Sequence, residues 1–151
     1  MDKTSVDDIL DFAIVGEQSA CEFYKDLAAK MDNEAMREVF EEFAAQEMAH
    51  KTKLQKVRRD GVAVLARSKE VPDLKIADYL VEVEEKPDMT YVDAIILAMK
   101  REKAAFKLYT DLAEMVADEN CRNLFLALAQ EEANHKLRFE LEYDDHVMQE
   151  N

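Results

Sequence analysis

Glycine and proline are scarce, with two of each in 151 residues. Both residues serve turns, so their scarcity argues against long irregular loops. Alternation of apolar and polar residues is missing over any useful length, while Ala, Leu, Met, Lys and Glu dominate, which favours helix over strand. Cysteine is limited to Cys21 and Cys121, with no Cys-x-x-Cys pair. Neither a disulfide framework nor a cysteine-held zinc or iron site follows, and a reducing, cytoplasmic setting is expected. The polar, acidic stretch from Met1 to Asp8 does not read as a signal peptide. No apolar run reaches the ~20 residues needed to cross a bilayer, and Ile95-Ile96-Leu97-Ala98-Met99 stops at Lys100-Arg101. Basic residues are outnumbered 20 to 34, for a net charge of −14. That balance argues against nucleic acid as a partner and suits a protein that attracts cations.

What the chain does contain is organised around Glu47-Met48-Ala49-His50. No residue nearby breaks a helix, and residues three apart share a helical face. That face is otherwise apolar: Met36, Val39, Phe40 and Phe43 precede the pair, and Leu54 and Val57 follow. Glu132-Ala133-Asn134-His135 is a second copy, preceded by Cys121, Leu124, Phe125 and Leu128 and followed by Phe139. A carboxylate and an imidazole thus occupy core positions twice. Burying such charges costs several kcal/mol each unless they are paired, protonated or bound to metal. The two turns together ask for a shared cation.

Taken in order, a first helix is expected from Ser5, with Asp8 as a capping partner, to about Lys30. Its stripe reads Leu10, Ala13, Ile14, Glu17, Ala20, Tyr24, Leu27, Met31, so Glu17 also sits among apolar neighbours. Gly16 either permits close packing beside Glu17 or has no role. A second helix is expected over 34–60, after a turn at Asp32-Asn33 and before a stop at Gly61. Residues 62–89, with breaks at Val71-Pro72 and Lys86-Pro87, read as a long crossover. A short helix is expected over 73–84, with Leu74, Ala77, Tyr79 and Leu80 as contacts. A third helix is expected over 90–116, with the stripe Ile95, Ala98, Met99, Glu102, Ala105, Phe106, Tyr109, Leu112, Val116. The fourth, over 120–143, is followed by a polar tail expected to fray, with His146 solvated.

The second half repeats the first at a constant offset of 85 residues, which pairs Glu17 with Glu102, Glu47 with Glu132 and His50 with His135. The same offset pairs Ala20 with Ala105, Tyr24 with Tyr109, Arg37 with Arg122, Phe40 with Phe125, Ala44 with Ala129 and Lys51 with Lys136. The expected architecture is all-α: one domain over 1–151, a four-helix bundle of two related hairpins joined by the long crossover. A lone Glu from one helix and a Glu-x-x-His from the next, given twice, is the ligand pattern of di-iron and di-manganese carboxylate bundles. Carboxylate and imidazole donors suit iron or manganese, and zinc can occupy such a site.

At Gly16-Glu17-Gln18-Ser19-Ala20, Tyr24, Glu47-Met48-Ala49-His50, Glu102 and Glu132-Ala133-Asn134-His135 the chain resembles the rubrerythrin branch of the ferritin-like superfamily, over roughly residues 5 to 143. The resemblance implies two iron ions. Glu17 and Glu102 would each hold one metal, Glu47 and Glu132 would bridge the two, and His50 and His135 would each ligate one. The site is then also the catalytic centre. Tyr24 and Tyr109 would hydrogen-bond the ligands, or serve as plain core tyrosines. The implied activity is oxidoreduction of hydrogen peroxide or dioxygen. Ferritin-like iron oxidation and storage, or a bundle whose metals are only structural, are the alternatives. Two departures bear on this. Typical rubrerythrins carry a further Glu where this chain has Ala105, and they carry a four-cysteine rubredoxin-like module absent here. Electrons would come from a separate donor, such as a rubredoxin-like protein. A homodimer is expected, and helix pairs in this superfamily can exchange between chains.

Overall fold

The computed structural model of the chain describes residues 6–61, 76–81, 86 and 88–150, with 147–150 as backbone alone. The chain divides into two compact units, Met1–Leu65 and Ala66–Asn151. The first is a hairpin of α1 (Val6–Ala29) and α2 (Glu34–Asp60). The second holds a 3-10 turn (Ile76–Tyr79) and a hairpin of α3 (Tyr91–Met115) and α4 (Glu119–Glu150). The described residues contain no strand.

Each hairpin closes by the same local chemistry. Asn33 accepts from the backbone N–H of Ala35 at 2.9 Å and of Met36 at 3.3 Å, capping α2. Asp118, one repeat later, accepts from Cys121 N–H at 2.8 Å and caps α4. These side chains satisfy N–H groups that a helix start leaves without intrahelical partners. Arg37 donates to the Met31 carbonyl at 2.7 Å, and its counterpart Arg122 donates to Val116 O at 3.2 Å and Ala113 O at 3.2 Å. The repeated arginine therefore ties the start of one helix to the carbonyl end of the preceding one. Each cap and arginine fixes a short turn, so the two helices of a hairpin pack side by side and their apolar faces meet.

The two glycines play different parts. Gly61 stops α2 at φ +66°, a left-handed conformation, with its N–H donating to Val57 O at 3.1 Å. Gly16 is exposed, and a Cβ there would meet nothing within 4 Å, so it does not serve close packing beside Glu17. Gly16→Ala should stabilise the protein by about 1 kcal/mol through helix propensity, whereas Gly61→Ala should destabilise it because a Cβ is strained at that φ. Paired urea melts check the opposite signs.

The expected bounds of the second and third long helices and the start of the fourth match closely, while Ser5 lies outside the described residues. Four expectations need correction. Most of the 62–89 crossover, including Leu74, Pro72 and Pro87, lies outside the described residues, and within it the structure has a 3-10 turn at Ile76–Tyr79. Ala77 and Leu80 are exposed there, and Tyr79 is buried. Tyr79 donates to Asp111 at 2.8 Å, and Lys107 lies 4.8 Å from its ring centre. Burial and then Asp111 push its hydroxyl well above the ordinary tyrosine range, which keeps it a donor. The tail does not fray at Asp144: α4 continues to Glu150. The His146 ring packs 4.7 Å from Tyr91, and its Nε2 lies 3.4 Å from Glu142, which also accepts from the Tyr91 hydroxyl at 3.0 Å. His146 is thus half-buried, not solvated. Phe106, expected in the apolar stripe of α3, is 42% exposed.

Candidate metal centre

In the first hairpin, α1 supplies Glu17 and α2 supplies Glu47 and His50. Each offers a ligand atom, and the three atoms lie within 4.8 Å of one another. His50 Nδ1 is 3.5 Å from Glu17 Oε2 and 3.5 Å from Glu47 Oε1. In the second hairpin, α3 supplies Glu102 and α4 supplies Glu132 and His135, again within 4.8 Å of one another. His135 Nδ1 is 3.6 Å from Glu102 Oε1. None of the six side chains exposes more than 3% of its surface.

Local sequence explains the clustering. Glu47 and His50 are three residues apart, so α2 stacks them on one face between buried Phe43 and Leu54. Glu132 and His135 are stacked by α4 between Leu128 and Phe139, both buried. Glu17 and Glu102 lie on the buried faces of α1 and α3, facing across their own hairpins.

The spacing suits coordination better than a simple ion pair. Nitrogen–oxygen hydrogen bonds run to ~3.2 Å, and the three separations of 3.5 to 3.6 Å exceed this. Two donors each ~2.1 Å from one first-row cation stand roughly 3.0 to 3.4 Å apart, close to what each hairpin provides. The donors are hard carboxylates and borderline imidazoles, the mixture iron, manganese and zinc accept. Both hairpins therefore fit a metal ion by donor type, spacing and burial.

The neighbourhood is apolar and aromatic. Tyr24 and Tyr109 are both buried. Tyr24 packs edge-on against Phe43 with ring centres 6.0 Å apart and stacks at 5.7 Å on Phe23. Lys51 donates to Gln18, beside Glu17, at 2.6 Å and closes the hairpin over its polar edge. Glu131 stands apart from both clusters and is half-buried, where the ~100° offset from Glu132 predicts the solvent side. Ala105 is half-buried and offers no donor. Cys21 and Cys121 are buried free thiols. Burial and then Asp118 push the Cys121 thiol up to about 11, which makes it an inert packing group.

A pair of helical hairpins, each burying two carboxylates and an imidazole, is an all-α arrangement with the donor set of a carboxylate metal site. The sequence matches the Rubrerythrin family over residues 8–143, and the chain belongs to that family. No curated protein matches it. A hypothetical protein of Pyrococcus furiosus is 31% identical, with a TM-score of 0.73 over 93% of this chain and 89% of that one. A Thermotoga maritima protein described as ferritin-like diiron-carboxylate is 21% identical, with a TM-score of 0.77 over 97% of this chain and 99% of that one. The fold is therefore ferritin-like, an all-α four-helix bundle. No described helix is long and apolar enough to cross a membrane.

Proposed function

We propose that the two hairpins join as one domain and that their half-sites form a single two-iron centre that reduces hydrogen peroxide or dioxygen. The observation that carries this is the doubled, fully buried set of Glu17, Glu47, His50 and Glu102, Glu132, His135. Four carboxylates bring four negative charges, which two divalent ions cancel, so one centre accounts for all of them. In this reading Glu17 and Glu102 would each hold one ion, Glu47 and Glu132 would be shared between the two, and His50 and His135 would each ligate one. Tyr24 and Tyr109 orient the carboxylates by hydrogen bonding, as outer partners of metal ligands do. Bound as ferrous ions, the pair supplies the two electrons that peroxide needs to become water. The apolar wall around the site keeps bulk water from the reaction.

Ala105 leaves the centre with one lone carboxylate from α3, so no alternative ligand stands one turn beyond Glu102 to exchange with it. The two cysteines are buried apart from any Cys-x-x-Cys motif. In this reading the electrons that restore the ferrous state come from a separate, rubredoxin-like donor in a reducing, cytoplasmic setting.

Anaerobic loading with ferrous iron followed by a peroxide titration, watched optically, tests the reading. The expected end point is one peroxide per two irons. Two bound irons inert to both peroxide and dioxygen would move the function to a structural role. Growth into iron-loaded assemblies of high mass would move it to storage.

A further inference from the structure

The first hairpin has a latch that its repeat lacks. Lys51 of α2 donates to Gln18 of α1 at 2.6 Å and ties the two helices together beside Glu17 and His50. At the offset of 85 the lysine recurs as Lys136, but Gln18 becomes Lys103. Two ammonium groups cannot hydrogen-bond each other, because neither is an acceptor. Lys136 instead reaches along its own helix to Glu140, which stands where α2 has Gln55. In place of the latch, α3 and α4 frame a groove of about 420 Å³, lined by Lys103, Phe106, Ala133, Lys136, Leu137 and Glu140.

The groove has an apolar floor and one uncompensated charge. Phe106 and Leu137 are exposed by 42 and 56%, and they stand where the first hairpin has Cys21 and Thr52. Lys136 is matched by Glu140, and further along α3 Lys107 is matched by Asp111 at 3.4 Å. Lys103 is exposed and has no acidic partner among the described residues. It belongs to a run of bases, Lys100, Arg101, Lys103 and Lys107, whose counterparts on α1 are Val15, Gly16, Gln18 and Glu22. This stretch of α3 is therefore cationic on a chain whose net charge is −14. Charges more than ~8 Å away are largely screened at physiological ionic strength. The local run, not the net charge, decides what the groove attracts.

We infer that the groove binds a small organic acid, a soluble molecule with an apolar body and one carboxylate. The body lies on Phe106, Ala133 and Leu137, and the carboxylate accepts from Lys103. An inorganic anion would leave the apolar floor in water, and a neutral hydrocarbon would leave Lys103 without a partner. A volume of about 420 Å³ falls within the ~300–1,000 Å³ of small-molecule sites, which share this mixture of apolar lining and few polar groups. The groove also has a fixed relation to the second half-site. Each of that half-site's three donors is followed in sequence by a lining residue: Glu102 by Lys103, Glu132 by Ala133 and His135 by Lys136. The acid is thus held on the outer side of the helix turns that bury those donors. It is not the oxidant proposed above, and its binding does not require that chemistry.

Isothermal titration of the full chain with decanoate tests the inference. One saturable site per chain is expected, with an affinity that falls as salt is added. Lys103→Gln removes the charge and supplies the acceptor that Lys136 lacks. It should weaken binding at least about threefold, within the reach of an exposed ion pair, and abolish the salt dependence. Leu137→Gln should weaken binding about fivefold through lost apolar contact and keep the salt dependence. Val15→Gln, at a 65% exposed position on α1, should change neither. Circular dichroism of all three variants should match the parent. Absence of saturable binding, or equal affinity in the parent and both groove variants, would overturn the inference. So would sedimentation showing a second copy of the chain that decanoate does not displace and Leu137→Gln does. None of these readouts involves iron or peroxide, so they stand or fall apart from the iron chemistry.

Discussion

Ferrous iron added anaerobically to metal-free protein should raise its melting temperature by more than ~10 °C. Without a cation, four carboxylates buried at 1 to 3% exposure must take up protons or draw in water. Both responses cost stability. A ligand that binds only the folded chain contributes about 4 kcal/mol at a thousandfold excess over its Kd. For a chain of this size each kcal/mol moves the midpoint by roughly 2–4 °C, so one ion gives about 8–16 °C and two ions exceed the expected shift. The stabilisation should vanish in acid, because protons compete with metal for the carboxylates and imidazoles. Calorimetry of metal-free and loaded samples, at neutral and acidic pH, reads both effects. Equal midpoints at neutral pH would mean that the buried acids are compensated without metal.

Glu47→Ala and Glu132→Ala should each abolish binding of the full pair of metals, while Glu131→Ala should not. Residues that merely orient metal ligands are worth 10–100-fold in affinity, so loss of a bridging carboxylate should cost at least ~100-fold. The stability readouts should diverge. Removing a buried acid relieves repulsion in the metal-free protein, so those variants should melt no lower than the parent without metal and well below it with metal. Glu131 has the same charge and lies next in sequence, yet it stands outside both clusters. Its substitution should leave stoichiometry and the metal-dependent shift intact. Equal losses from Glu131→Ala and Glu132→Ala would contradict the assignment of helix faces.

Much of this was legible in the residues. The 85-residue offset picked out the two Glu-Glu-His sets that the structure buries and brings together, because buried polar groups in a helical seam are too costly to recur by accident. Helix starts were readable wherever a cap is local, as at Asn33 and Thr90, each of which bonds backbone within three residues. Features that depend on distant partners were not. Asp144-Asp145 reads as a solvated tail until Tyr91 is seen packed on His146. Phe106 follows Glu102 by one turn and reads as core, yet periodicity does not say which edge of a helix its neighbours cover. The crossover gave the least: between Pro at two breaks its pattern promised a short helix, and Tyr79 alone of the described contacts is buried. The structural use of the repeated Arg37 and Arg122 was visible only as a coincidence of spacing until their carbonyl partners were in place.

X-ray absorption of the iron-loaded protein tests the central claim most directly, that the two half-sites make one centre. Paired ions sharing bridging carboxylates stand ~3.5–4 Å apart, and the account predicts an iron–iron scattering contribution in that range together with nitrogen and oxygen neighbours. Two irons per chain with no iron–iron contribution would mean that each hairpin binds its own ion, and the shared centre would be refuted.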